Sequence, residues 1–562
     1  MKKAISIGIQ GFSALREQDC FFVDKTNFIK EWWENRDVVT LITRPRRFGK
    51  TLNMSMLECF FSNKYVNRAD LFEGLSIWQE EAYRKLQGSY PVIFLSFAAV
   101  KAGNLEDAKT QIKQEIARLY RENRNLMKED IFGEDERELY YQTTVKMDDV
   151  TAQDSLRNLS EWMERYYGKK VIILLDEYDT PMQEAYVQGY WDVFTAFVRS
   201  LFNASFKTNP YLERAIMTGI TRVSKESIFS DLNNLQVITT TSDLYADCFG
   251  FTESEVFHVL DEFGMGDKKD EVKQWYDGFT FGEHKDIYNP WSITNYLDKR
   301  KTYPYWASTS SNGLVSRLIR TASADVKEKM EDLLNGREIV VSFDEQIVYN
   351  QLDHNENAIW SLLLASGYLK VKHVDYRGIT REPWYTLDIT NIETLSMFTT
   401  MFQDWFQNQD ANYGYFMKAL INGDLEAMNY YMNKVALATF SYFDVESGNG
   451  SDPEPERFYH GFVLGLIAER AGIYEIRSNR ESGFGRYDIM MIPQEREKYP
   501  AIIIEFKVCS RMKKETLEEA VQSALDQIVD KNYDAELLSQ GIAADRIRHY
   551  GFAFEGKRVL IG

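Results

Sequence analysis

The chain has 562 residues, too many for one hydrophobic core, which predicts roughly three or four domains of about 100 to 200 residues each. Hydrophobic residues make up 44% of the sequence and prolines number only 11, a composition that excludes a disordered scaffold. The formal net charge of −19 excludes non-specific coating of nucleic acid, although it is compatible with a local basic groove.

Neither targeting segments nor disulfides are indicated by the sequence. The N-terminus lacks the apolar core and cleavage site of a signal peptide, and no apolar run reaches the ~18 residues of a membrane span. We therefore expect a cytosolic protein with no membrane association. Paired spacing is absent among the four cysteines, which predicts buried reduced thiols at Cys20, Cys59, Cys248 and Cys509.

Short apolar runs alternate with long amphipathic stretches over residues 1–245. The runs lie at residues 38–42, 92–97, 171–175 and 215–218. Continuous apolar strands separated by helices are typical of a parallel sheet that is buried on both faces. The sequence therefore predicts an α/β, nucleotide-binding domain with a parallel sheet in this part of the chain.

The middle of the chain is divided into two predicted segments. Residues 246–330 are rich in helix formers and aromatic residues, with turns at 275–279 and 288–291, and we expect a helical lid over the nucleotide. Residues 331–445 include a strand-like run at 384–387 and are predicted to form a connecting helical or winged domain.

A polar segment with glycines and prolines, residues 446–455, predicts a linker because it favours neither a helix nor a packed strand. Beyond it, the order of elements is a helix, a strand pair, an apolar strand, a helix and a strand. This order predicts a second, compact α/β domain over residues 446–562.

A candidate phosphate-binding loop, Arg-Pro-Arg-Arg-Phe-Gly-Lys-Thr at residues 44–51, follows the first apolar strand and precedes a helix-forming stretch. In this context backbone N–H groups and a helix N-terminus hold phosphates. Lys50 is predicted to reach the β- and γ-phosphates, and the Thr51 hydroxyl to bind Mg²⁺. Arg44 stands where the general motif has its first glycine. Arg46 and Arg47 either contact phosphates or offset local acidity.

Two acids end the apolar run at 171–175. Asp176 is predicted to hold Mg²⁺ through water and Glu177 to polarise the attacking water, because both lie at the carboxyl edge of a buried sheet. Thr218 is predicted to sense the γ-phosphate, and Arg222 to stabilise charge within its own subunit or across a subunit interface. Both residues could instead lie in ordinary turns. The predicted nucleotide-binding set is Arg44, Arg46, Arg47, Phe48, Gly49, Lys50, Thr51, Asp176 and Thr218.

A second candidate centre lies near the C-terminus. Glu505 and Lys507 follow an apolar run and, being two apart on a strand, point to the same face. Asp488 lies on the preceding strand. Two carboxylates that bind one divalent ion, beside a lysine that orients the attacking water, form a metal-dependent nuclease centre. We therefore predict catalytic roles for all three, with Asp488 and Glu505 as ligands of Mg²⁺ or, alternatively, Mn²⁺.

Further residues carry weaker signals. Glu456 is predicted to supply another metal-directed carboxylate, and Gln527 to approach the same centre from the following helix. His460 is more typical of helix packing than of a metal ligand. Arg511 and Lys513 either touch a phosphate backbone or form a solvated helix entrance.

Together these motifs resemble a family of bacterial proteins in which an AAA-ATPase-like domain precedes a PD-(D/E)XK nuclease domain. The resemblance covers nearly the whole length and rests on residues 22–26, 44–51, 175–179, 218–224 and 505–507. It implies a P-loop ATPase that uses ATP and Mg²⁺, joined to a restriction-endonuclease-like α/β core. The family is similar even at Arg44.

Three hypotheses follow from the sequence. The leading one is an ATP-regulated, magnesium-dependent nuclease that acts on nucleic acid, with DNA as the expected substrate. The second is a nucleotide-switched protein whose nuclease-like domain grips DNA or a protein without cutting. In the third, the ATPase is the working part and the C-terminal domain is its adaptor. The sequence leaves open DNA against RNA, hydrolysis of ATP against binding alone, and assembly into a homo-oligomer.

Overall fold

The computed structural model describes residues 3–128, 132–222, 228–229, 232–307, 313–334, 336–345, 349, 352, 355, 357–407, 412–439, 463, 467, 473–482, 485–509, 515–555 and 558–562. The chain forms two compact units. The N-terminal unit comprises Met1–Arg320 and Gly336–Ser396, and the C-terminal unit comprises Thr321–Asn335 and Met397–Gly562. The finer division into four domains stays a prediction. The linker at 446–455 and the residues Glu456, His460, Arg511 and Lys513 lie outside the described residues.

The strands are short, as the sequence indicates. They are β1 Val39–Thr43, β2 Val92–Ser96, β3 Val171–Asp176, β4 Leu212–Gly219, β5 Leu235–Ile238, β6 Phe251–Thr252, β7 Phe279–Phe281, β8 His284–Tyr288, β9 Ile339–Val341, β10 Leu369–Arg377, β11 Glu382–Ile389, β12 Tyr474–Ser482, β13 Gly485–Pro493, β14 Ala501–Val508, β15 Ile547–Glu555 and β16 Arg558–Ile561.

The helices fill most of the intervening chain. They are α1 Phe12–Glu17, α2 Asn27–Asn35, α3 Lys50–Phe61, α4 Glu81–Arg84, α5 Leu105–Glu122, α6 Glu134–Gln142, α7 Asp149–Tyr167, α8 Thr180–Gln188, α9 Trp191–Phe202, α10 Glu253–Glu262, α11 Lys269–Tyr276, α12 Pro290–Lys299, α13 Gly313–Thr321, α14 Ala324–Leu334, α15 Ala358–Ala365, α16 Ile392–Gln407, α17 Asn412–Asn422, α18 Leu425–Thr439, α19 Leu517–Asp530 and α20 Asp534–Ser539.

A parallel sheet in the order β2–β3–β4–β1–β5 forms the centre of the N-terminal unit. Every residue of β1 and β3 is buried, which confirms the predicted α/β class with a parallel sheet covered on both faces. Strand β4 lies between β1 and β3, with Thr218 opposite Ile42 in the register. Because parallel strands end at the same edge of a sheet, the carboxyl ends of all three strands meet there.

The segment predicted as a helical lid is only partly helical. Helices α10, α11 and α12 are accompanied by a small antiparallel sheet in the order β6–β8–β7. The strands arise because aromatic residues alternate with polar ones in β7, Phe279 and Phe281 being buried on one face. A buried carboxylate, Glu393, joins this segment to α16 by accepting hydrogen bonds from Ser292 Oγ at 2.8 Å and the Trp306 backbone N–H at 2.6 Å.

The middle of the chain contributes a second antiparallel sheet, in the order β10–β11–β9. Strands β10 and β11 form a long hairpin, paired from Leu369 and Ile389 at its base to Arg377 and Glu382 at its tip. The apolar helix α15 directly precedes this hairpin and is buried along its whole length. Strand β11 alternates between buried and half-buried residues from Tyr385 to Ile389, and both strands become exposed toward the tip.

The C-terminal unit has a mixed five-stranded sheet in the order β12–β13–β14–β15–β16. Strand β14 pairs antiparallel with β13 and parallel with β15, and its first six residues are buried. Helix α19 connects β14 to β15 and makes the parallel crossover possible. This arrangement confirms the predicted mixed α/β fold of the C-terminal domain. Among the described residues, no helix combines the length and apolar character that crossing a membrane requires.

Gly278 is a point at which the lid segment touches the middle of the chain. A Cβ added at Gly278, whose φ is +125°, would lie 2.0 Å from the Thr390 carbonyl oxygen. We therefore expect Gly278→Ala to lower the free energy of unfolding by on the order of 3 kcal/mol. Gly103→Ala, where the added Cβ meets nothing within 4 Å, is the matched control. Equal thermal unfolding midpoints for the two variants would contradict this contact.

Candidate functional site

The phosphate loop joins β1 to α3. The helix begins at Lys50, and Gly49 precedes it as N-cap in the left-handed conformation, with φ of +79°. A Cβ at Gly49 would meet nothing within 4 Å, so open space lies beside the loop. The first N–H groups of an α-helix have no partner within the helix, and together with the helix dipole they attract anions. The local backbone therefore suits a phosphate group.

Lys50 is buried, and its ammonium is held inside the loop. The Nζ atom donates hydrogen bonds to the carbonyl oxygens of Arg44 and Pro45, both at 2.8 Å. Burial lowers the pKa of Lys50, while the nearby carboxylates of Glu177, Asp179 and Asp176 oppose this effect. A cation in this position can exchange its carbonyl partners for phosphate oxygens.

Asp176 brings together the ends of three elements. One carboxylate oxygen accepts a hydrogen bond from Thr51 Oγ1 at 2.8 Å, and the other accepts one from Thr218 Oγ1 at 2.6 Å. The carboxyl group is fully buried, which raises its pKa, whereas the two hydroxyls act in the opposite direction. Hydroxyl and carboxylate oxygens are the hard ligands that Mg²⁺ prefers, so this set fits a magnesium ion. The predicted residues Thr51, Asp176 and Thr218 are thus in direct contact with one another through the Asp176 carboxylate.

Glu177 follows Asp176 in a strained backbone conformation. Its φ is +50°, which is uncommon for a residue with a side chain and costs free energy. Its carboxylate accepts a hydrogen bond from Thr180 Oγ1 at 3.2 Å. The turn keeps Glu177 half-buried at the sheet edge, close enough to Lys50 for its carboxylate to raise the pKa of that lysine.

A third acid in this turn, Asp179, carries no predicted role, yet it joins β3 to the end of β4. Its buried carboxylate accepts hydrogen bonds from the backbone N–H groups of Ile220 at 2.9 Å and Thr221 at 2.7 Å, and from Thr221 Oγ1. The sequence signals for it are its spacing three residues after Asp176 and its place in the segment 175–179 that carries the family resemblance. Arg222 follows Thr221 and therefore lies at the same sheet edge.

Arg44 requires a correction. Its guanidinium does not face the phosphate loop but is fully buried, donating to the carbonyl oxygens of Thr43 at 3.0 Å and Thr239 at 2.6 Å. It also lies 4.4 Å from the centre of the Phe281 ring. Burial lowers the pKa of Arg44 to about 9, so the side chain stays charged at neutral pH. The side chain thus holds the loop and only its backbone is available to a nucleotide.

Phe48 is corrected in the same way. Its buried ring packs between Phe279 at 4.8 Å and Phe281 at 5.4 Å, so the side chain fastens the loop to β7. The exposed Arg47 stacks 4.5 Å above the Trp291 ring. Arg46 lines a small cavity, which it shares with polar and aromatic residues including Gln183, Thr221 and Trp306. Of the three loop arginines, Arg46 and Arg47 retain guanidinium groups near open space.

In the C-terminal unit, the structure places the predicted nuclease residues on neighbouring strands. Ile489 of β13 pairs with Ile504 of β14, so Asp488 and Glu505 are the next residues in the register. Asp488 accepts a hydrogen bond at 2.8 Å from the backbone N–H of Phe506. Glu505 is buried, and Lys507 Nζ lies 3.6 Å from its carboxylate. Both carboxylates and the lysine are therefore gathered at one end of the strand pair.

Gln527 of α19 forms hydrogen bonds with both Glu505 and Lys507 of β14. Its amide oxygen accepts a hydrogen bond from Lys507 Nζ at 2.8 Å, and its amide nitrogen donates to Glu505 Oε1. The same nitrogen lies 3.2 Å from the Tyr533 hydroxyl, which donates to the Arg486 carbonyl oxygen at 2.6 Å. The predicted approach of Gln527 is present, and Tyr533, which sequence patterns do not single out, holds the amide in place.

The donor set of this centre suits a divalent ion. Asp488 and Glu505 provide carboxylate oxygens, the ligands typical of Mg²⁺ and Mn²⁺. Glu456, the third predicted carboxylate, lies outside the described residues. The ammonium of Lys507 is positioned beside the same oxygens, where it can stabilise a negatively charged phosphate.

Comparisons with known proteins match the two ends of the chain separately. Residues 6–229 match the family model described as predicted AAA-ATPase, and residues 454–562 match that of the PD-(D/E)XK nuclease superfamily. A protein of Azotobacter chroococcum mcd 1, described as an uncharacterized protein in the vnfD 5′ region, is 27% identical over 401 residues. That similarity covers 70% of this chain and 68% of the relative.

The buried guanidinium of Arg44 predicts a loss of stability on its removal. Arg44→Ala would leave a cavity and unpaired carbonyl oxygens, so we expect the free energy of unfolding to fall by about 3 to 5 kcal/mol. Arg47→Ala, in the same loop but exposed, is the control and should change it by less than about 1 kcal/mol. Chemical denaturation measures both, and equal values would contradict the structural role.

Proposed function

Because the chain joins a predicted AAA-ATPase domain to a PD-(D/E)XK nuclease superfamily domain, we propose that it is an ATP-hydrolysing, magnesium-dependent DNA nuclease. Nucleotide state at the phosphate loop governs cutting by the C-terminal centre. The observation that carries the proposal is the joint hydrogen bonding of Glu505 and Lys507 to Gln527. A domain that only grips DNA has no chemical need for this pairing beside a second carboxylate.

In the proposed nuclease reaction, a water molecule attacks the phosphorus, the P–O ester bond breaks and the leaving oxygen takes a proton. Asp488 and Glu505 would hold the divalent ion, which supplies Lewis-acid stabilisation of the phosphate. Lys507 orients the attacking water and offsets the negative charge that develops on the phosphate. Gln527 fixes the lysine relative to Glu505, so the ammonium does not need to reorganise during the reaction.

In the proposed ATPase reaction, Lys50 transfers its hydrogen bonds from loop carbonyls to the β- and γ-phosphates. Thr51 and Asp176 would hold the magnesium ion that accompanies ATP. Glu177 polarises the water that attacks the γ-phosphorus, and Thr218 reports the presence of that phosphate through its hydrogen bond to Asp176. Arg222 stabilises the charge that develops as the phosphate leaves.

Lys507→Ala tests the nuclease. We expect cleavage of a plasmid in Mg²⁺ to fall by on the order of 10² to 10³-fold or more, because the variant lacks the cation beside the phosphate. ATP binding should be unchanged. Lys498→Ala, a lysine of the same unit paired with Glu495, is the matched control. Cleavage equal to that of the native chain would refute the assignment and favour a nucleotide-switched binding protein.

Glu177→Gln tests the ATPase separately. The amide keeps the shape of the side chain but cannot accept a proton, so phosphate release should slow by on the order of 10² to 10⁴-fold. Binding of a fluorescent ATP analogue should persist, since Lys50 and Thr51 are retained. Glu184→Gln, on the following helix, serves as control. Undiminished turnover in the Glu177 variant would show that this carboxylate does not activate the water.

A further inference from the structure

The hairpin β10–β11 ends in an exposed turn that is flanked by two arginines, Arg377 and Arg381. Its outer half runs from the pair Val374 and Tyr385 to the pair Arg377 and Glu382. At ~3.3 Å per residue this outer half extends about 10 Å. Tyr376 is 61% exposed and Ile379, at the turn, is fully exposed. A ribbon of this length exceeds the ~8.5 Å depth of the major groove of DNA, which admits a two-stranded ribbon.

The charges at the base of the hairpin are compensated. Lys370 donates to the Thr390 carbonyl oxygen at 3.0 Å and lies 4.0 Å from Asp388, and Lys372 lies 3.8 Å from Glu338. Glu382, next to the tip, accepts a hydrogen bond from Ser342 Oγ at 2.8 Å. The lysine contacts hold the base of the hairpin, and Ser342 holds β11 close to its tip. The exposed part that remains is the turn between Arg377 and Glu382 together with the outer end of β10.

The two arginines at the tip differ from these lysines. The guanidinium of Arg377 lies 4.3 Å from the centre of the Trp384 ring, and that of Arg381 lies 5.4 Å from the centre of the Tyr376 ring. In the described part of the chain, neither forms an ion pair with a carboxylate. Stacking on an aromatic ring restricts a guanidinium while its N–H donors stay available. Such donors match the geometry of phosphate oxygens.

The setting of this tip argues for an anionic partner. The chain carries a net charge of −19, yet the tip presents two arginines that form no ion pair in the described part of the chain, beside the exposed Tyr376 and Ile379. Glu382, which is opposite Arg377 in the register, instead accepts a hydrogen bond from Ser342. The base of the hairpin adjoins the phosphate loop, because a Cβ added at Gly367, just before β10, would lie 2.8 Å from Pro45 Cγ. A partner held at the tip is therefore held by the same unit that binds nucleotide.

We propose that the tip of the β10–β11 hairpin binds duplex DNA, with Arg377 and Arg381 on the phosphate backbone and the ribbon in the major groove. This surface would be a second contact with DNA, distant in sequence from the nuclease residues. The proposal rests on the proposed function, in which DNA is the substrate. Because the contacts are to phosphates, they position the duplex and do not select its sequence.

The test measures binding of the full chain to a short fluorescent duplex in EDTA, on a Lys507→Ala background that cannot cut. We expect Arg377→Ala/Arg381→Ala to raise the Kd on the order of tenfold and to reduce the salt dependence of log K by about 2. Arg377→Lys/Arg381→Lys, which keeps the charge, should recover most of the affinity. Thermal unfolding verifies that all variants remain folded.

A matched control removes two lysines of the same unit whose charge is already paired. Lys268 lies 3.0 Å from Glu271, and Lys269 lies 2.6 Å from Asp261. Lys268→Ala/Lys269→Ala makes the same change in net charge and should leave the Kd and salt dependence unaltered. An equal effect in both double variants would overturn the proposal, because overall charge would then explain it.

Other outcomes are equally decisive. Unchanged duplex affinity in the tip variant would overturn the proposal, as would a parent chain that binds only single strands, RNA or an acidic peptide. Failure of the nuclease assignment has a different signature, since it would appear as absent plasmid cleavage in Mg²⁺ by the chain with native Lys507. The tip variant with native Lys507 should still cut when protein is saturating.

Discussion

The hydrogen bonds that Asp176 accepts from Thr51 and Thr218 depend on one feature of the topology, the insertion of β4 between the loop-bearing β1 and the acid-bearing β3. Parallel strands end at one edge, so Thr218 can reach the carboxylate from the intervening strand while Thr51 reaches it from the helix after β1. The carboxylate is tolerated in a buried position because both oxygens are satisfied. Lys50 then lies near the carboxylates of Asp176, Glu177 and Asp179, while its hydrogen bonds go to backbone carbonyl oxygens of the loop.

The C-terminal centre is likewise positioned by the end of a buried strand, in a different sheet. A strand with a fully apolar beginning, Ala501–Ile504, fixes the positions of Glu505 and Lys507 at its end. Gln527 then donates to one oxygen of the buried Glu505 carboxylate and accepts from the Lys507 ammonium. In both centres a rigid buried strand supplies precision, and side chains from a neighbouring helix complete the hydrogen bonds. Preorganisation of this kind is what electrostatic catalysis requires.

The sequence predicted the features that follow from periodicity. An apolar run that ends in acids identifies β3, and a two-residue spacing places Glu505 and Lys507 on one face, because both patterns are local. The directions of the side chains in the phosphate loop depend on residues that are distant in the sequence. The loop pattern specifies the backbone near Arg44 and Phe48, whereas the partners of their side chains, Thr239 and Phe281, lie far along the chain.

Contacts made by the fold explain the remaining differences. Asp179 meets Thr221, which is 42 residues away, only because β3 and β4 are neighbours. Tyr533 is only six residues from Gln527, and it meets the amide because the chain turns between α19 and α20. The segment 246–330 is predicted to be helical with turns at 275–279 and 288–291, and the short strands β7 and β8 lie between these turns, because aromatic residues flanked by turns do not distinguish short strands from helical segments.

The coupling of the two centres is tested most directly by the rate at which the native chain cleaves a plasmid in Mg²⁺. The rate is measured in the presence of ATP, in the presence of a non-hydrolysable ATP analogue and in the absence of nucleotide. If nucleotide at the phosphate loop governs the nuclease, the rate should differ among these states, and Lys50→Ala should behave as the nucleotide-free protein in all of them. The same cleavage rate in every nucleotide state would contradict the coupling of the two centres.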